Sequence, residues 1–203
     1  MKAFLCMALA GHILCGISDY LLTYAPNGKV NLSDFKDYDK SHEAFRGMSL
    51  KNLAYAMVLG VIAMTLEIFG YLAICDYVEQ FSKPIYMIMY AATLIMFISL
   101  SLHHLFCCLC EWFFVRLDLT KEALGAVWDF FQTTAYTMYA GYIAMVVFAA
   151  AFLIAVVTGQ TQLPRWACVF NLLPLAVVIL PTKLPAKANI IGAVMFTGLL
   201  VLI

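Results

Sequence analysis

Apolar residues in this chain come in long blocks separated by short polar stretches, over about residues 3–24, 53–75, 85–115, 123–157, 164–181 and 188–203. A helix rises about 1.5 Å per residue, so roughly 20 apolar residues cross a hydrocarbon core of about 30 Å. The pattern predicts an all-α fold, a polytopic membrane protein whose single domain (1–203) is a bundle of six transmembrane helices. Breaks fall where turn chemistry demands them. Ala25-Pro26-Asn27-Gly28 closes the first run, while Pro84 and Pro164 suit the first turns of the third and fifth. Pro174, after Asn171, predicts a kink inside the fifth run. The last run spans only roughly 24 Å. The N-terminal stretch mimics a signal peptide, but its apolar run continues to Tyr24 without a small-x-small cleavage site, so it is expected to stay as the first helix.

The polar stretches add orientation. The loop from Lys29 to Asn52 holds nine of the 24 charged residues, and its Phe35, Tyr38 and Phe45 predict a short interfacial helix. Loops 1, 3 and 5 carry nine Lys or Arg residues, against three for the N-terminus with loops 2 and 4. The positive-inside rule then makes the odd-numbered loops cytoplasmic. Composition agrees with the blocks: 65% of the residues are hydrophobic and 12% charged, about half the charge of a soluble domain. Zero net charge leaves no basic field for nucleic acid. The partners expected are the lipid bilayer and a small-molecule or lipid ligand. Seven cysteines, all inside or beside apolar runs, are expected as reduced fillers.

Ionisable residues inside a bilayer are costly and usually face the protein interior. Counted from the odd-loop side, Asp19 lies roughly 8 Å deep, His103 about 15 Å, His12 about 18 Å and Glu67 about 21 Å. His104 adjoins His103, and Glu111, Asp129 and Asn189 lie nearer the same surface. Polar groups from several helices thus share one half of the bundle. The expectation is a polar cavity, open toward the odd loops and plugged on the other side, lined by Asp19, Glu67, His103, His104, His12, Asp129 and Asn171. On the second helix Gly60, Ala63, Glu67 and Gly70 share a stripe where a neighbouring backbone could approach.

Two metal constellations arise from the residue types. His12, Glu67 and His103 (or His104) reach similar depth on three helices and suit a metal ion or a proton relay. His103-x3-Cys107-x2-Cys110 shares one helical face, with His104-x3-Cys108-x2-Glu111 beside it. No cofactor is otherwise indicated.

At Gly16-Ile17-Ser18-Asp19-Tyr20-Leu21-Leu22 with Pro26 and Gly28, and at Gly159-x-Thr161-x-Leu163-Pro164-Arg165-Trp166, the chain resembles an uncharacterised bacterial family of small multi-pass membrane proteins, a domain of unknown function. Ser18 stands where that pattern expects glycine, and Asn171-Leu172-Leu173-Pro174 replaces a tight Asn-Pro. The resemblance implies the architecture, a place in a bacterial inner membrane, and Asp19 and the third-helix histidine as functional positions. Three functions fit: binding or transport of a small polar or amphipathic molecule; an intramembrane, metal-dependent enzyme acting on lipid, using Ser18, Asp19, His12 and His103; or an accessory or sensory subunit whose polar residues join helices.

Overall fold

A computed structural model describes residues 1–30 and 35–203; residues 31–34, inside the first polar loop, lie outside the described residues. Helix α1 (Lys2–Thr23) runs into a two-residue hairpin, β1 (Tyr24–Ala25) with β2 (Gly28–Lys29), paired antiparallel through Tyr24–Lys29 and Ala25–Gly28. The Asp37 side chain, accepting from Lys40 N–H, caps α2 (Tyr38–Phe45), a short helix where the aromatic spacing predicts one. Ser49 caps the long α3 (Leu50–Glu79), and α4 (Lys83–Arg116) starts with Pro84 in its first turn.

The fourth apolar run is two helices, α5 (Lys121–Thr134) and α6 (Tyr136–Val157), meeting at Ala135. Thr133 and Thr134 return their hydroxyls to the carbonyls of Asp129 and Phe130 one turn back, a bond that bends helices. The fifth run differs most from expectation. Instead of one kinked helix over 164–181, it forms a 3₁₀ turn (Arg165–Phe170) and a short α7 (Leu172–Ile179). The break sits at Asn171, before the proline: Asn171 is extended, its side-chain oxygen accepts from Leu173 N–H, and its amide donates to the Ala149 carbonyl of α6. Pro174 then falls in the first turns of α7, where no N–H is lost. Helix α8 (Lys187–Leu202) closes the chain.

Four stretches are long and apolar enough to cross a membrane: α1, α3, α4 and α5 with α6. Their outer faces expose Ile13, Ile17, Val58, Ile62, Ile98 and Ile143, so the helices are apolar outside as well as inside.

Contact order follows from small residues. Along α3 the buried positions Leu53, Ala56, Gly60, Ala63, Glu67, Gly70 and Ile74 alternate in steps of three and four, the seam of a left-handed helix pair. Helix α1 packs antiparallel on that seam, with Gly11 against Ala63 and Glu67, and Ala8 against Gly70. Helix α8 runs antiparallel to α1: Ala186 faces Gly16, and Gly192 faces His12.

The packed interior divides in two. One core gathers Leu5, Tyr71, Ile74, Met89, Phe97, Phe148, Met195 and Phe196. The other, at the loop-1 end, gathers Leu22, Phe35, Phe45, Leu53, Cys108, Phe114 and Val127, with Phe45 edge-on to Phe114 and Phe35.

A methyl group at Gly11 would lie 2.6 Å from the Ala63 carbonyl oxygen, a backbone atom that cannot swing aside. Gly11→Ala is therefore expected to destabilise by about 1–3 kcal/mol, the usual cost of overpacking. Gly125→Ala, a helical glycine with open space around it, should be neutral or gain about 0.5–1 kcal/mol. Thermal unfolding of the two detergent-solubilised variants checks the contrast, and equal melting temperatures would refute this packing.

Candidate functional site

Between the two apolar cores lies a layer of polar side chains from α1, α3, α4 and α8. Helix α1 supplies His12, Ser18 and Asp19. Helix α3 adds Glu67 and Tyr71, α4 adds His104, and α8 adds Asn189. Two glycines make room for the imidazoles: a side chain at Gly60 would collide with the His104 ring, and one at Gly192 with the His12 ring.

The layer is a connected chain. Asn189 stands at its centre, its Nδ2 donating to Asp19 Oδ2 at 2.8 Å and its Oδ1 facing His12 Nδ1 at 3.2 Å. That amide orientation places the His12 proton on Nδ1, and leaves His12 Nε2 to accept from the Tyr71 hydroxyl at 3.2 Å. Glu67 Oε1 also lies 3.5 Å from His12 Nδ1, but Asn189 takes that proton, and Glu67 Oε1 is buried without a hydrogen-bond partner. The other arm runs from Asp19 Oδ1 to His104 Nδ1 at 3.6 Å, and from His104 Nε2 to Ser18 Oγ at 3.0 Å. Ser18 donates its own proton to the Ala56 carbonyl at 2.7 Å, so it accepts from His104 Nε2–H. His104 Nδ1 then faces Asp19 Oδ1 across the 3.6 Å gap, beyond hydrogen-bond distance.

Asp19 connects this layer to the surface: its side chain is 31% exposed, against 6% for His12 and His104 and 7% for Glu67. Two carboxyl–imidazole pairs, Glu67–His12 and Asp19–His104, stand 3.5 and 3.6 Å apart, just outside hydrogen-bond contact. Asn189 bridges them, and an amide does not itself relay a proton.

Of the residues expected to line a cavity, His12, Asp19, Glu67 and His104 come together. His103 does not: it is half-buried, with its ring beside Phe131 and its Nε2 3.5 Å from Cys107 Sγ. A step of about 100° per residue sends the two neighbouring histidines to different faces. Asp129 is exposed on α5, and Asn171 caps α7 away from the layer. The set His12, Glu67 and His103 is therefore not assembled, and among the described residues no group of three or more His, Cys, Asp or Glu side chains is arranged to hold a metal ion.

The layer's side chains touch one another directly. A surface groove of about 470 Å³ lies between the hairpin and α2, beside Asn27 and Ala44, and a small pocket lies beside Glu111. At the loop-1 end, where an open mouth is expected, Phe35, Phe45 and Phe114 fill the space. Tyr71 is the member that sequence reasoning missed. Its position four residues after Glu67 on the α3 stripe was the available signal.

The chain belongs to a family of unknown function (DUF6796), whose model matches residues 1–200. No curated protein and no solved structure matches it.

Replacing Asn189 by leucine strands His12 Nδ1 and one Asp19 oxygen in the protein interior. Each orphaned group costs about 1–3 kcal/mol, so Asn189→Leu is expected to lower the melting temperature clearly, whereas Asp129→Asn on the exposed face should stay within about 0.5 kcal/mol. Differential scanning fluorimetry in detergent reads the difference.

Proposed function

We propose, from the site alone because the family carries no assigned activity, that this chain is an integral membrane protein that binds a proton or a small cationic or polar molecule at the polar layer and moves it across the bilayer. The odd-numbered loops face the cytoplasm, and the natural setting is a bacterial inner membrane. Six crossings make up the bundle, with the segment from Arg165 to Ile179 as the fifth and α8 as the sixth.

The observation that carries this reading is Glu67 Oε1, buried and unpartnered within 3.5 Å of His12 Nδ1. Polar residues that only join helices satisfy one another. A carboxyl oxygen left over in hydrocarbon calls for an occupant that comes and goes. The carboxylates of Glu67 and Asp19 favour a positive one. The two apolar cores flank the layer as plugs, and Asn189 separates the two carboxyl–imidazole pairs, so this is a closed arrangement.

A second reading has its own support. Ser18 Oγ, His104 and Asp19 stand in the order hydroxyl, imidazole, carboxylate, at 3.0 and 3.6 Å, the constellation that activates a nucleophile in acyl-transfer enzymes. Ser18 is fully buried and its proton is committed to Ala56, which ranks this reading below transport.

The test uses the full chain in vesicles with a trapped pH-sensitive dye and an imposed membrane potential. Wild-type vesicles are expected to take up protons several-fold faster than empty ones, and Glu67→Gln vesicles to match empty ones. Identical rates for wild type and Glu67→Gln would sink the transport reading. Labelling by a fluorophosphonate probe that disappears in Ser18→Ala would favour the enzyme.

A further inference from the structure

The second half of α4 carries chemistry that the polar layer does not use. Cys107, Cys110 and Glu111 line a pocket of about 20 Å³, closed from the other side by Phe35, Trp128 and Phe131. Glu111 is 7% exposed, and its Oε2 has no hydrogen-bond partner. Cys107 and Cys110 are three residues apart, so their thiols lie one turn apart on the same helical face. Both are free, and Cys110 Sγ contacts the Val127 carbonyl at 3.8 Å. His103 lies one turn before Cys107. Its Nε2 is 3.5 Å from Cys107 Sγ, and its Nδ1 is buried without a partner.

We infer that this pocket is a binding site for one thiophilic monovalent cation of the copper(I) class, held between the sulfurs of Cys107 and Cys110. The space admits a single dehydrated ion or a single water and excludes a hydrated ion. Hard cations are poor occupants, because they require about six to eight oxygens, and the pocket offers one carboxyl group. Soft thiolate donors select copper(I), which two sulfurs in line can satisfy. That geometry needs no third His, Cys, Asp or Glu ligand, in keeping with the absence of larger donor clusters among the described residues.

Water is the weaker occupant, since a buried water wants two to four good polar partners, and thiols are poor ones.

The charge balance closes. Binding forms two metal–sulfur bonds and breaks two S–H bonds, with no change of oxidation state, leaving a bis-thiolate complex of charge −1. Both released protons leave to solvent. Glu111, whose Oε2 has no partner, lines the same pocket. Cys108 sits on a different face, fully buried in the loop-1-end core, and takes no part.

Copper(I) binding by the purified full chain, in competition with bicinchoninate under anaerobic conditions, tests the site. Wild type is expected to bind one equivalent more tightly than the rest, by at least 100-fold. Cys107→Ser and Cys110→Ser should each abolish that equivalent, whereas Cys6→Ser/Cys168→Ser should keep it. Glu111→Leu should weaken it about tenfold, and Glu111→Gln, which keeps a polar group at the pocket wall, should restore it. X-ray absorption on the loaded protein should find sulfur as the nearest shell. Unchanged uptake in either single cysteine variant overturns the proposal, as does an absence of tight uptake by wild type, the result of a pocket that holds only water. Single variants with native helical circular dichroism keep the test valid if a double variant fails to fold.

Discussion

A polar side chain in hydrocarbon must find its partner within the protein, and this one constraint sets how the helices of this chain face one another. His12, Asp19, Glu67, His104 and Asn189 would each be costly toward lipid. The rotation of α1, α3, α4 and α8 that turns all of them inward also brings Gly60 against His104 and Gly192 against His12. The glycines and the imidazoles are thus one device: a ring is seated in a gap that any side chain would close. The three-four seam of small residues on α3 then lets α1 come close enough for Ser18 to reach the Ala56 carbonyl.

Above and below the layer the packed interior is mainly apolar. The two cores differ in character. The larger one is built from side chains of the apolar helices, such as Phe148, Met195 and Phe196. The other borrows Phe35 and Phe45 from the long polar loop, so a segment that counts as loop by charge acts as a plug. Its aromatic contacts also close the small thiol pocket beside Glu111. The same loop therefore contributes both to this end core and to the wall of the thiol pocket.

Much of this was legible in the chain itself. The apolar blocks placed α1, α3, α4 and the α5–α6 pair within a few residues of their ends, because roughly 20 consecutive apolar residues have few alternatives to a membrane helix. Depth counting put His12, Asp19, Glu67 and His104 in one half of the bundle, since residue number along a rigid helix converts to height, but it grouped His103, Asp129 and Asn171 with them, and these lie elsewhere. Rotation was harder. His103 and His104 are equivalent by depth, and only the neighbouring helices decide that His104 faces Ser18 while His103 faces Phe131.

What the sequence by itself determined was therefore axial: which stretches are helical, how long they are, and which polar groups share a level. Hydrophobic length and turn chemistry are local, and they need no partner to act. The tertiary structure alone decided what lies around each axis and across it. It chose Asn189 as the bridge, left Glu67 Oε1 unpaired, broke the fifth run at Asn171 rather than at Pro174, and filled the expected mouth with Phe35 and Phe45. Each of those outcomes depends on close packing between segments distant in sequence, and no pattern within a single helix encodes its neighbour's face.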